Sequence, residues 1–311
     1  MNIRASVVAA VVTVLFAGSA ASAQGRLNVV TSTEDLASIA REVGGDKVSV
    51  TALARGYQDP HFVEPKPSFI LAMNRADLYV AVGRELEVGW LPPLLTSSRN
   101  AKIQPGSRGY LDASQNVRIL EIPTGQITRA MGDVHPLGNP HYWLEPGNGR
   151  LIAQAIRSKL TELAPADKAY FAQRYDAFDQ RLAAAEKRWD SVMAPYKGTK
   201  IVTYHRSWPN FMARFGLEVV GYVEPKPGIP PSPAHTLDLV EEMKRSGVKL
   251  IAVEPYFSLK TPQAIAAQVP GGKVIVPAPS VGGVKEVTDY IQLFDYNVNL
   301  LSGALKQIAG K

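Results

Sequence analysis

"PADKAYFAQRYDAFDQRLAAAEKRWDSVMAP", residues 165 to 195, is the stretch whose reading decides the fold. It reads as one helical run of about thirty residues bounded by prolines, and at 1.5 Å per residue it spans roughly 40 Å. On both sides of it, strand-like runs alternate with helix-like runs. Upstream, "LNVVTST", "KVSVTALA", "DLYVAVG" and "VRILEI" read as strands, with "EDLASIAREVGG", "SFILAMNRA" and "NGRLIAQAIRSKLTELAP" as helices. Downstream the alternation restarts with "KIVTYH", "LEVVGYV", a helix over 233–246, "VKLIAVE", a further helix, "KVIVPAP" and a C-terminal helix. Such alternation argues for α/β structure with mainly parallel sheets. A long helix midway predicts two lobes, 24–164 and 196–311, joined by a connecting helix over 165–195. The tetrapeptide "EPKP" occurs at 64–67 and again at 224–227, each soon after a second strand, which hints at duplicated lobes.

The first 23 residues predict an export signal. Arg4 gives a positive start, "VVAAVVTVLFAG" an apolar run, and "ASA" at 21–23 a small-x-small cleavage site. The run is too short for a membrane span. The 311 residues contain no cysteine, which excludes disulfides, thiolate ligands, a thiol nucleophile and a lipid anchor on cysteine. The destination expected is the periplasm. The net charge of +6 is spread along the chain without a clustered basic patch, so a nucleic-acid partner is not expected.

Ligands in open α/β sheets collect at the carboxyl ends of strands. His205 follows "KIVTY" directly, and Glu254 follows "VKLIAV". His61 lies in the loop after "KVSVTALA", and His141 in the loop after "VRILEI". Three of the five histidines thus surround a predicted cleft, two from the first lobe and one from the second. Neutral imidazoles suit zinc, copper, nickel and iron. His135 reads as an exposed loop residue that could approach the site, and His235 as a solvent-facing residue in the first turn of a helix. Trp143, Trp208 and Tyr142 read as packing residues. "SVGG" lacks the lysine and spacing of a phosphate loop, and Ser207 has no nucleophile elbow around it.

Four stretches, "QDPHFVEPKPS", "NPHYWLEP", "TYHRSWPNFMARFGLEVVG" and "VEPYFS", resemble in order the landmarks of the periplasmic zinc/manganese-binding proteins of metal ABC transporters, and "YIQLFDYNVNLL" extends the likeness to the C-terminus. The resemblance implies His61, His141 and His205 as metal ligands. A histidine at the third position resembles the zinc-binding branch, since manganese binders tend to have glutamate there. The family's usual fourth ligand is an aspartate after the last strand of the second lobe. Here that stretch is "KVIVPAPSVGG", with Pro277, Ala278 and Pro279 in its place. Glu254 is the leading candidate to complete the site, either as a ligand or as an acceptor that orients an imidazole; water, Asp59 and His135 are the alternatives.

The function these readings favour is capture of zinc, with manganese second, by a monomer that delivers it to an ABC permease for import. The alternative is a zinc-dependent hydrolytic enzyme, because three histidines with an open water position can also activate that water. An adhesin role on the same scaffold leaves no distinct mark in the sequence.

Overall fold

The computed structural model describes residues 25–310 except 126, 127, 129–131 and 133. The predicted export signal lies outside the described residues. Two four-stranded sheets, parallel throughout, form the two lobes. The first has order β2-β1-β3-β4, from β1 (Leu27–Thr31), β2 (Val48–Ala52), β3 (Leu78–Ala81) and β4 (Tyr110–Asp112). The second has order β6-β5-β7-β8, from β5 (Lys200–Thr203), β6 (Glu218–Tyr222), β7 (Leu250–Ala252) and β8 (Lys273–Ile275). The order is the same in both, so each lobe reverses direction between its first and third strands. That reversal opens a crevice beyond the strand ends.

Nine α-helices cover the sheets among the described residues. They are α1 (Glu34–Gly44), α2 (Pro67–Asn74), α3 (Leu91–Ser98), α4 (Pro146–Leu163), α5 (Lys168–Met193), α6 (Pro209–Phe215), α7 (Pro233–Ser246), α8 (Lys260–Ala267) and α9 (Tyr290–Ile308). The long stretch forms α5, a helix of 26 residues flanked by short 3-10 turns at Pro165–Asp167 and Ala194–Tyr196. Its buried residues Phe171, Phe178, Leu182, Ala185, Trp189 and Met193 recur at helical spacing and make one apolar stripe. The stripe packs on α1 and α4 of the first lobe and on α9 of the second. One apolar core therefore runs through both lobes, from Val29 and Leu78 to Leu250 and Phe294, with a smaller cluster on the far side of each sheet.

"VRILEI" is not a strand. Val117 and Ile119 pack partly against the core, but the backbone is bonded elsewhere: the Leu120 carbonyl accepts from the Asn139 N–H, and the Arg118 N–H donates to Asn148 Oδ1 at 3.1 Å. The fourth strand of that sheet is instead the three-residue β4, formed by "YLD". Among the described residues no helix is long and apolar enough to cross a membrane.

Candidate metal centre

Two of the site's loops use the same local device. Asp59-Pro60-His61 and Asn139-Pro140-His141 each place an Asx oxygen two residues before a histidine. Asp59 Oδ1 accepts from the His61 backbone N–H at 3.0 Å and from its Nδ1 at 2.7 Å. Asn139 Oδ1 takes the His141 N–H at 2.9 Å and contacts its Nδ1 at 3.1 Å. Proline between them presets the turn. Trp90 Nε1 anchors the first loop through the Pro60 carbonyl at 2.9 Å. The Asn139 amide is itself fixed, since Nδ2 donates to Glu121 Oε2 at 2.9 Å and to the Arg206 carbonyl at 2.8 Å.

His205 stands two residues beyond β5, at the reversal point of the second sheet. The Thr203 hydroxyl bonds its carbonyl at 2.9 Å, and Glu224, just after β6, accepts from its Nδ1. Each Nδ1 is thus held by a protein oxygen, which leaves Nε2 as the donor nitrogen of each ring.

The three rings form a nearly equilateral triangle. Centroids lie 5.1 Å apart for His61 and His141, 5.3 Å for His61 and His205, and 5.3 Å for His141 and His205. One ligating atom from each lies within 4.8 Å of the other two. His141 is 2% exposed, and its Nε2 is buried without a hydrogen-bond partner among the described residues. A buried nitrogen lone pair without a partner is costly unless something comes to it. Burial, then the facing imidazoles, hold the His141 pKa well below its ordinary value, so the ring is neutral and able to donate. Burial also works against charge on His205, but the hydrogen bond and charge of Glu224, with Glu254 and Asp59, outweigh it and raise its pKa. Asp59 shows the same contest. Burial would raise its pKa, and the hydrogen bond and charge of His61 prevail and lower it.

Glu254 is fully buried, and its charge acts on His205. Its Oε1 accepts from Trp208 Nε1 at 2.9 Å, and its Oε2 has no hydrogen-bond partner among the described residues. Burial, opposed by the charge of His205, pushes its pKa up to about 7. It is not part of the converging group of donors. At the expected aspartate position, Ala278 is fully buried, and its N–H and carbonyl are both bonded by the Asn297 amide at 2.8 Å. Beside it, the Pro279 carbonyl accepts from Trp143 Nε1 at 3.0 Å, while Ser280 Oγ and the Val281 N–H bond Asp35 at 2.5 and 2.9 Å.

Two residues differ from their sequence reading. His135 is half-buried and packed on His61, with ring centroids 5.1 Å apart, and burial followed by the nearby histidines pushes its pKa down to about 4. His235 is half-buried too, with Nε2 against the Tyr222 carbonyl at 2.9 Å. Glu224 was absent from the sequence-based set; its "EPKP" signalled it only as a repeat. Trp143, Trp208 and Tyr142 are buried packing residues, as read. A cavity of about 350 Å³, bordered by Ile122, His135, His141, His205 and Arg206, leads to the triangle.

Residues 29–304 match the family described as zinc-uptake complex component A, periplasmic. The chain belongs to that family. Among curated relatives of this member, the zinc-binding lipoprotein AdcA of Streptococcus pneumoniae is 25% identical over 295 residues, 92% of this chain. The chain spans only 57% of the length of AdcA. The manganese ABC transporter substrate-binding lipoprotein PsaA of Streptococcus pneumoniae is 26% identical over 243 residues, covering 76% of this chain and 74% of PsaA. Among solved structures, the crystal structure of ZnuA is 26% identical, with a TM-score of 0.73 over 91% of this chain and 98% of that one. The family is thus one of metal-transport binding proteins, with zinc and manganese both represented among the relatives.

Proposed function

We propose that this protein captures zinc between its lobes with His61, His141 and His205 and delivers it, as a periplasmic monomer, to an ABC permease for import. The observation that carries the reading is the convergence of three neutral-capable imidazoles, each with Nδ1 held by an oxygen and Nε2 left as donor. Nitrogen donors favour zinc over manganese, which prefers carboxylate and water oxygen. Membership of an uptake family supports delivery to a permease over hydrolysis. Glu254 acts through His205, where its buried carboxylate lowers the electrostatic cost of bringing a cation to that ring.

The test is calorimetric titration of metal-free protein with zinc and, separately, manganese. One zinc per chain, bound more tightly than manganese, is expected. A metal-free sample that takes up no zinc refutes the reading.

A further inference from the structure

The three-histidine triangle leaves one position of a tetrahedron open, and a fourth imidazole stands beside it. His135 Nε2 lies 3.0 Å from His61 Nε2, across 74 residues of sequence. The 5.1 Å between their ring centroids equals that between His61 and His141. Zinc bound to nitrogen at about 2.0–2.1 Å in tetrahedral geometry sets adjacent nitrogens roughly 3.3 Å apart. The His61–His135 pair is therefore within a few tenths of an ångström of a coordination edge before any ion arrives.

The hydrogen-bond chemistry fits the same role. Asp59 accepts from His61 Nδ1, so His61 Nε2 carries the lone pair and turns it toward His135. With the lone pair on His61 Nε2, the 3.0 Å contact is a hydrogen bond given by His135 Nε2, and a cation that takes a lone pair from each ring replaces that shared proton, which moves to His135 Nδ1 or to solvent. Ala278 replaces the expected acid, Glu254 Oε1 is taken by Trp208, and since Glu254 and His135 both stand outside the three donors already converged, His135 joins them from its contact with His61 by a shift of its loop.

We propose that His135 is the fourth ligand, so that the cargo ion is held by four imidazoles and no carboxylate. The proposal rests on the three-histidine reading above. It makes the site more selective for zinc over oxygen-seeking ions than three histidines with water would be.

X-ray absorption at the zinc edge, with a competition titration against a chromophoric chelator, tests it on the wild-type protein and on His135→Ala. The wild type should show four imidazoles. The variant should show three with one light oxygen donor, and bind zinc about tenfold or more weakly, the least that even an outer-shell partner costs. His235→Ala, whose ring meets the Tyr222 carbonyl and none of the three ligands, should match the wild type. Equal affinity and equal imidazole count in wild type and His135→Ala overturn this proposal while leaving the triangle standing. Tighter binding by His135→Ala overturns it too, since His135 would then be blocking His61 rather than joining it. Zinc uptake by neither protein overturns the three-histidine reading, and this proposal with it.

Discussion

Asp35 sits in the first turn of α1 with no exposed surface, and reaches the second lobe through Ser280 and Val281. Burial pushes its pKa from 3.8 to about 7, against the pull of those two hydrogen bonds. A carboxyl with a raised folded pKa binds its proton more tightly in the native state. Between pH 4 and 7 the native chain therefore holds the greater number of protons, and stability must fall as pH rises through that window. A shift of about 3 units at 1.36 kcal/mol each gives a penalty on the order of 4 kcal/mol, complete above pH 7. Asp35→Asn removes the titration and keeps an oxygen for the Val281 N–H. Denaturant unfolding of metal-free protein from pH 4 to pH 8 should show the variant close to wild type at pH 4 and more stable at pH 8. Glu87 and Glu254, also raised to about 7 by burial, tilt both proteins alike, so the difference curve isolates Asp35. A flat difference across the range, or a variant less stable at pH 8, would refute the reasoning.

His141→Ala should weaken zinc binding by more than about 100-fold, beyond what an outer-shell partner costs, and by far more than His135→Ala; equal losses in a competition titration would contradict the triangle. Glu224→Gln keeps an acceptor for His205 but drops its charge, and should cost about 10- to 100-fold in zinc affinity with the fold intact by circular dichroism. An unchanged affinity would show that the charge behind His205 does not matter. At Gly56 a methyl would stand 1.9 Å from the Val281 carbonyl oxygen, a backbone atom of the other lobe. Gly56→Ala should therefore destabilise the protein by about 1–3 kcal/mol, as overpacking does, measurable by urea unfolding.

The α/β lobes, the long helix and the three histidines were legible because each leaves a local mark: alternation of apolar runs, helical length, or a histidine just past a strand. "VRILEI" misled because apolar residues packing an irregular segment against the core look like a strand when its bonding partners, Asn139 and Asn148, lie some twenty to thirty residues away. The identical tetrapeptides show the limit well. Glu64 is exposed and Glu224 is buried against His205, so the same four letters meet different surroundings. His135 was misread for a related reason, since its neighbour His61 is distant in sequence. The Asx-Pro-His pairs were visible throughout, and their shared geometry is a second local signal for His61 and His141, one that neither His205 nor His135 carries.

The single core shared by both lobes bears on how cargo leaves. A hinge works where few contacts cross it, but here α5 carries one apolar stripe through both halves, and Trp143, Asp35 and Asn297 tie down the turn after β8. Swinging the lobes apart would break packing and buried hydrogen bonds together. The inexpensive motion is local, one imidazole at a time, starting from the half-buried His61 and His135 rather than the buried His141 and His205. On the proposed function, dwell time on the protein is then set by how quickly successive nitrogens let go, and replacement donors offered at the cavity mouth shorten it. Stopped-flow transfer to a competing chelator should accordingly speed up as chelator concentration rises, where a lobe-opening step would impose a ceiling.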